Sequence, residues 1–339
     1  MYQRLIRPLL FQLDPEQAHD LTLKALQLVG AFPFLLGLLR RFFTAYSLSS
    51  RVDAFGLTFP NPIGIAAGYD KDGIAVSGLA ALGFGHIEIG TVTPRSQLGN
   101  PRPRIFRIPE QKALINRMGF PGRGADFVAN KLKRLKLPDQ KLILGVNIGK
   151  NADTPNEAAV EDYVRLLSTF SPLADYIAVN ISSPNTVGLR RLQAKEVLAG
   201  LLSQLADKRS KMREKRPILI KLAPDLSSLE LDDALDAILT TGMDGVIATN
   251  TTISRENLSS NIGREPGGLS GSPLTAQSRE MVAEIHRRTA GKLPIIGVGG
   301  IMTPEDARSM LSAGATLIQV YTGMVYAGPG LIRDILEFL

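Results

Sequence analysis

The 339-residue sequence contains no cysteine and only three histidines, His19, His86 and His286, scattered along the chain. Without cysteine there is no disulfide framework, no thiolate zinc or iron–sulfur site, and no cysteine nucleophile or acid. No metal site is expected, so any redox chemistry needs an organic cofactor. A long apolar run is also missing. The most apolar stretch, residues 32–43, is broken by Arg40 and Arg41 and falls short of the ~20 residues a spanning helix needs. Asp14, Glu16 and Asp20 interrupt the N-terminus too early for a secretory signal.

What is present describes a globular enzyme-sized chain. A hydrophobic share of 44% with 21% charged residues excludes wholesale disorder. The net charge of +7 suits nucleic acid, an anionic membrane face or an anionic substrate, and composition does not choose among them.

From residue 61 onward one pattern repeats. Short apolar runs at 61–68, 86–93, 142–149, 176–183, 217–224, 245–252, 293–300 and 316–323 end in Gly, Asn, Ser or Thr, and helical segments lie between them. Continuous Val/Ile/Leu runs indicate strands buried on both faces of a parallel sheet. Helices are expected to begin near Glu157 and to cover 197–213, 229–239, 275–288 and 305–311. The series predicts a (β/α)₈ TIM barrel, with a doubly wound sheet as the alternative. Residues 94–120, between the second and third strands, read as an inserted hairpin over the barrel mouth.

The first fifty residues precede the repeat. Asp14-Pro15-Glu16 is a helix start, Ala18, Leu21, Ala25 and Leu28 mark one apolar face, and Gly30 can close the helix. Pro33 opens a second helix. The expected division is a two-helix extension at 1–50 and a catalytic barrel at 51–339.

Barrel chemistry sits at the C-terminal strand ends. Here those ends carry Asp70-Lys71, Thr91, Asn147, Asn180 with Ser182-Ser183, Lys221 and Asn250-Thr251. Any one of these could simply begin a loop or cap a helix. Polar residues at six of eight ends instead predict a ring for a planar, imide-bearing anion. The last two strands end in GVGG (297–300) and YTG (321–323), where barrels cradle phosphate on glycine backbone. GGLSG (267–271) could close the same rim. FMN fits this pattern better than a dinucleotide.

The motifs AAGYDKDG (66–73), EIGTVTP (88–94), NRMGF (116–120), GVNIGKN (145–151), NISSPNT (180–186), IKLAPDL (220–226), ATNTT (248–252), GGLSG, GVGGI (297–301) and VYTG (320–323), in this order, resemble the dihydroorotate dehydrogenase family over essentially the whole chain. The resemblance implies FMN and the oxidation of dihydroorotate to orotate in pyrimidine synthesis. Soluble members use a cysteine base after the fourth strand. Ser183 stands there instead, as in the membrane-associated, quinone-reducing class, which also has an N-terminal helical pair.

Carried over by resemblance, Ser183 is the base that takes the C5 proton while hydride passes from C6 to flavin N5. A serine alkoxide is unfavourable at neutral pH, so Thr186 and a water form the relay, with Phe120 shielding the site. Asn116, Asn180, Asn185 and Asn250 are the substrate amides, with Arg117, Met118, Gly119 and Thr251 beside them. Lys71 faces substrate and flavin. Lys221 lies beside flavin N1 and O2, where charge develops. The implied FMN contacts are Ala67, Gly68, Tyr69, Asp70, Lys71, Thr91, Asn147, Asn180, Lys221, Thr249, Gly271, Gly300, Tyr321 and Thr322. Gly149, Lys150, His86 and His286 are scaffold. His19, Arg107 and Tyr321 mark the quinone channel.

The implied partners are dihydroorotate or orotate, a membrane quinone and an anionic membrane surface, for a monomeric peripheral protein on the cytoplasmic face. Two departures from the family pattern occur, Pro121-Gly122 after NRMGF and Val187 after SSPNT. Three other readings compete: a soluble fumarate- or NAD-linked dihydroorotate dehydrogenase, a flavin barrel that reduces uracil in transfer RNA, and a non-catalytic binding scaffold. Ser183 and the N-terminal helices disfavour the first. The second relies on a cysteine acid and an RNA-binding domain, so no nucleic-acid partner is expected. The intact polar ring disfavours the third.

Overall fold

The computed structural model describes residues 2–43, 51–135, 142–256, 258 and 265–339. Strands β1 (Val52–Ala54) and β2 (Leu57–Phe59) form a hairpin. The eight expected runs then supply β3 (Ile63–Ile65), β4 (His86–Val92), β7 (Ile143–Ile148), β8 (Tyr176–Asn180), β9 (Ile218–Leu222), β10 (Gly245–Ala248), β12 (Ile295–Val298) and β13 (Leu317–Val320). They close into a barrel in that order, every neighbouring pair parallel. The chain is a (β/α)₈ barrel, and the doubly wound alternative is excluded by closure.

Alternation along each strand decides which side chains face inward. Ile177 and Val179 of β8 pack outward with the helices, whereas Tyr176 and Ala178 join the barrel interior with Leu219, Ile247, Ile296 and Leu317. The same phase turns Glu88 of β4, Asn147 of β7, Asn180 of β8, Lys221 of β9 and Gln319 of β13 inward, since Ile87, Ile89, Val146, Ile148, Val179, Ile220, Ile318 and Val320 all lie on the helix side. Phe59 of the β1–β2 hairpin packs into the same interior cluster.

The outer helices follow the expected segments. α6 covers Ala159–Phe170 after a 3₁₀ turn at Asn156–Ala158, and α7 covers Lys195–Ser210. α8 covers Ser228–Thr240, opened by a reciprocal capping box between Ser227 and Glu230. α9 is Thr275–Arg288 and α10 is Pro304–Ser312. The insertion contains the expected hairpin, β5 (Ile105–Ile108) and β6 (Ala113–Asn116). The GGLSG segment adds to it as β11 (Gly268–Gly271), antiparallel to β6, so the rim carries a three-stranded sheet.

At the N-terminus, a helical segment through Tyr2–Ile6 and α1 (Arg7–Gln12) precedes the two expected helices. α2 spans Pro15–Ala31, its start capped by Asp14, whose carboxylate accepts from the backbone of Glu16 and Gln17. Gly30 does not close it; the helix ends at Phe32, whose extended backbone turns the chain into α3 (Pro33–Phe43) at a bend of 114°. The buried face also differs from the expected one. Leu23 and Leu26 pack on the barrel, while Leu21 and Leu28 are exposed. The reason is close approach to α4 (Val76–Ala80): a Cβ on Gly78 would lie 2.3 Å from the Leu26 carbonyl, so α2 docks by its Leu26 face. Among the described residues no single helix is long and apolar enough to cross a membrane. The expected boundary at residue 50 ends the stretch 44–50, outside the described residues.

His86 reads as scaffold in the structure. It lies against Gly64 and edge-on to Phe59 at 5.4 Å, without a hydrogen-bond partner for either ring nitrogen. Burial holds its pKa down to about 3, from an ordinary 6.5. The unfolded chain therefore binds one more proton than the folded chain between those values. The stability that the neutral ring confers is complete above pH 6.5 and falls as pH drops towards 3, by about 1.4 kcal/mol per pH unit. His86→Phe should flatten urea-unfolding stability between pH 6 and 4 by about one proton's slope. An unchanged slope would place the acid sensitivity elsewhere.

Candidate active site

The C-terminal rim opens into a cleft of about 1140 Å³, counting its mouth. Ala67, Gly68, Lys71, Thr91, Asn116, Met118, Gly119, Phe120, Asn180, Ser183, Asn185, Lys221, Thr249, Asn250, Thr251, Gly271, Gly300, Tyr321 and Thr322 all line it. Five residues expected nearby do not. Thr186 is buried behind the lining. Asp70 turns into the protein, where its carboxylate accepts from the backbone of Ile74 and Ala75. Tyr69 faces His19 instead. Asn147 lies beneath the floor, fully buried. Arg117 turns outward to Glu265 and the Phe106 ring, leaving only its backbone near the rim.

The amides expected to meet a substrate are cross-linked. Asn185 Nδ2 donates to Asn116 Oδ1 at 3.0 Å, and Asn250 Nδ2 donates to Asn180 Oδ1 at 3.2 Å and Ser182 Oγ at 3.0 Å. Asn180 Nδ2 in turn donates to Thr91 Oγ1, whose own proton goes to Asn147 Oδ1 at 2.6 Å. Locking amides to each other fixes their donor and acceptor faces before a ligand arrives. Ser183 Oγ accepts from the Asn185 backbone at 3.3 Å. Two polar atoms here are buried without a partner, Asn185 Oδ1 and Thr186 Oγ1. Buried polar atoms are rarely left unsatisfied, so both point to a missing ligand or water. Phe120 lines the same cleft with its backbone in the left-handed region, at φ 52°. Gln97 Nε2 holds that turn by donating to the Gly119 and Phe120 carbonyls.

The cleft floor was not legible from strand ends alone. Glu88, buried inside β4, accepts from Asn147 Nδ2 at 2.9 Å, Gln319 Nε2 at 2.9 Å and Tyr176 OH at 3.1 Å, and faces Lys221 Nζ at 3.6 Å. Burial, and then Glu88 itself, push the Tyr176 phenol far up, so it stays a donor. The available signal was a glutamate in an otherwise apolar run, in phase with the inward side chains. Lys71 Nζ donates to the Gly68 carbonyl at 2.9 Å, and burial lowers its pKa.

Opposite the amides the wall is glycine and hydroxyl. At Gly300 (φ 69°) a Cβ would lie 2.3 Å from Thr275 Cα, so backbone alone can pass there. Ser270 and Thr322 hydroxyls meet at 2.9 Å beside it. An ammonium and amides at one end with a glycine cradle at the other fit a planar, phosphate-bearing ligand.

A second cavity of about 1350 Å³ lies between the N-terminal helices and the barrel. It is lined mainly by apolar residues, with His19, Arg107 and Tyr321 among them. Arg107 Nη2 donates to the Leu13 carbonyl and its guanidinium covers the Phe11 ring at 4.6 Å. The rings of His19, Tyr69 and Tyr321 form an edge-on chain at 5.0 and 5.6 Å. Burial holds the His19 pKa down to about 3, so the ring is neutral. Ile105, Leu114 and Tyr321 line both cavities and form the wall between them. The two sequence departures sit on loops: Gly122 pairs with Gln97, and Val187 is exposed.

Fold and site together define an α/β-barrel enzyme for a planar anionic ligand. The family model for dihydroorotate dehydrogenase matches residues 49–339. Dihydroorotate dehydrogenase (quinone) of Roseiflexus sp. (strain RS-1) is 53% identical over 99% of this chain and 92% of its own length. The protein of that name from Acidithiobacillus ferrooxidans is 51% identical, over 99% and 93%. A crystal structure of DHODH from Eimeria tenella in complex with ferulenol superposes with a TM-score of 0.85 at 37% identity, covering 96% of this chain and 90% of that one. The chain belongs to the dihydroorotate dehydrogenase family, whose members are flavin-dependent oxidoreductases.

Lys221→Met should destabilise the protein by about 3 kcal/mol, because it strands the buried Glu88 carboxylate without its cation. Combining it with Glu88→Gln should recover part of that loss in urea unfolding, since no charge then remains. Strictly additive losses would show that the two residues do not act as a pair.

Proposed function

We propose that the chain is a quinone-linked dihydroorotate dehydrogenase that holds FMN in the polar cleft and receives quinone in the apolar cavity. The observation that carries this reading is the shared wall. A polar cleft and an apolar cavity meet across Tyr321, Ile105 and Leu114, which suits a water-soluble electron donor on one side and a lipid-soluble acceptor on the other.

In the cleft, Lys221, Thr91 and Asn180 would hold the ring system of FMN, and Gly271, Gly300 and Thr322 its phosphate. When bound, FMN supplies the acceptor for the hydride that leaves C6 of dihydroorotate. Asn116, Asn185 and Asn250 hold the pyrimidinedione edge, and Lys71 the carboxylate. Ser183 takes the proton from C5, so that the C5–C6 double bond of orotate forms as proton and hydride depart. The buried, partnerless hydroxyl of Thr186 supports a relay that passes this proton onward. Phe120 keeps bulk water from the reacting atoms.

The finer domain reading is that 1–50 is the quinone and membrane module and 51–339 the catalytic barrel. Leu5, Leu9, Phe34 and Phe42 are exposed on the N-terminal helices, Phe34 at 80%, and Arg4, Arg40 and Arg41 lie near them in sequence. Apolar side chains fringed by arginine suit an anionic lipid surface. The protein is then peripheral, on the cytoplasmic face, and works as a monomer.

Three measurements test the reading. Purified protein should carry FMN at about one per barrel cradle and be bleached by dihydroorotate, with long-chain quinones turning over faster than fumarate or NAD. Ser183→Ala should keep flavin and bind orotate, yet slow flavin reduction by at least ~10²-fold in stopped flow, the low end for a general base; near-normal reduction would remove Ser183 from that role. Phe34→Glu should weaken binding to anionic vesicles while leaving turnover with a soluble dye unchanged. Full vesicle binding in that variant would move the membrane contact off α3.

A further inference from the structure

The N-terminal helices and the catalytic cleft are joined through a buried carboxylate that the chemistry above does not use. Glu16 lies in the first turn of α2, where Asp14 already caps the helix. Its carboxylate accepts from Arg104 Nη2 at 2.7 Å and Nε at 3.1 Å, and from Arg102 Nη2 at 2.9 Å. Burial pushes the Glu16 pKa up, but the two guanidinium groups override it and hold the group below the usual carboxylate range. Arg104 is equally buried. Its third nitrogen, Nη1, donates to the carbonyls of Leu98 at 2.6 Å and Asn100 at 2.9 Å. Every nitrogen of the fork is therefore engaged, which lysine could not reproduce.

Asn100 carries the connection into the cleft. Its backbone N–H donates to the Met118 carbonyl at 2.9 Å. Its Nδ2 donates to the carbonyls of Arg117 at 2.9 Å and Asn185 at 3.1 Å. One side chain thus ties together the loop carrying Asn116 to Phe120 and the loop carrying Ser183 and Asn185. Those loops already meet through the Asn185–Asn116 bond.

We infer that Glu16, Arg104 and Asn100 form a positioning spine through which the docked N-terminal helix holds Asn116 and Asn185 in register for the substrate. The inference rests on assigning the cleft to dihydroorotate. None of the three touches substrate; they act through backbone carbonyls of the residues that do. Coupling of this kind is reciprocal. Whatever seats α2 raises affinity for orotate, and orotate seats α2.

The test uses full-length, flavin-loaded protein. Orotate affinity is read from the flavin absorbance change, KM and kcat for dihydroorotate with a soluble dye, and stability from thermal unfolding. Asn100→Ala cuts the spine at its last link and leaves the Glu16–Arg104 pair intact, whereas Glu16→Gln weakens it at the first. Each should raise the orotate Kd and the dihydroorotate KM about tenfold, a change of about 1.4 kcal/mol, with kcat nearly unchanged. The double variant should be little worse than the more affected single one, because both break the same path. Glu16→Asp should recover part of the affinity. Lowered thermal stability with orotate affinity unchanged in Asn100→Ala would overturn the inference, and that variant decides the matter even where Glu16→Gln fails to fold. Failure of the parent protein to bind orotate would instead refute the cleft assignment, and shows before any variant is made.

Discussion

Lys221 carries a charge into the interior of a closed barrel, and much of the polar architecture under the cleft follows from satisfying it. An ion taken out of water costs several kcal/mol unless it is paired and hydrogen-bonded. The pairing group is Glu88, 3.6 Å away and itself wholly buried. That carboxylate has its own lone pairs to fill, and Tyr176, Gln319 and Asn147 fill them. Asn147 then presents its oxygen upward to Thr91 and Asn180. The amide ring at the cleft mouth therefore stands on a hydrogen-bonded column rooted in one ion pair. Five different strands contribute to that cluster, so it also fixes how β4, β7, β8, β9 and β13 meet across the interior.

The same logic of satisfied polar groups separates the two cavities. The cleft sets amides, hydroxyls and bare backbone among its apolar lining, while the second cavity, between the N-terminal helices and the barrel, has few polar atoms. Their common wall is aromatic and aliphatic. A tyrosine there, its phenol held protonated by burial, adds no charge to either side. On the function proposed above, substrate and lipid-soluble acceptor would occupy separate solvents inside one chain, which the order of motifs along the sequence does not reveal.

Strand identity was legible because burial on both faces forces continuous Val/Ile/Leu runs, and each run ended where a polar residue met the rim. Helix starts were legible where capping chemistry is local, as at Asp14-Pro15. Less legible were features set by contacts distant in sequence. Leu21 and Leu28 have helical spacing as good as that of Leu23 and Leu26, and only the approach of Gly78 to Leu26 decides which pair is buried. The GGLSG segment has too many glycines to read as a strand. It becomes one because β6 offers an unpaired edge. Asp70 sits at a strand end like its polar neighbours, yet the backbone N–H groups of Ile74 and Ala75 claim its carboxylate. Glu88 was readable in principle from strand phase, once one strand's inward set had been fixed by its apolar partners.

The cysteine-free composition bears on the chemistry at Ser183. A thiol can be half-ionised near neutral pH, but a serine hydroxyl cannot, so a serine base must lose its own proton as it gains one. That requires an acceptor within hydrogen-bond reach and a path away from the substrate. In the cleft Ser183 Oγ accepts from the Asn185 backbone N–H at 3.3 Å, which leaves its own proton to point elsewhere. For the second the cleft offers the Thr186 hydroxyl, which is buried three residues on and bonds to no described protein group. A buried hydroxyl is rarely left unsatisfied, so this one is completed by a ligand or a water rather than by the protein. With Ser183 as the base, that freedom from the backbone has a use, because a hydroxyl bonded firmly to backbone could not also hand a proton along. The strain at Phe120 fits the same scheme. Its left-handed backbone is held by Gln97 from behind, and its apolar ring lines the same cleft as Ser183, as the proposed shielding requires.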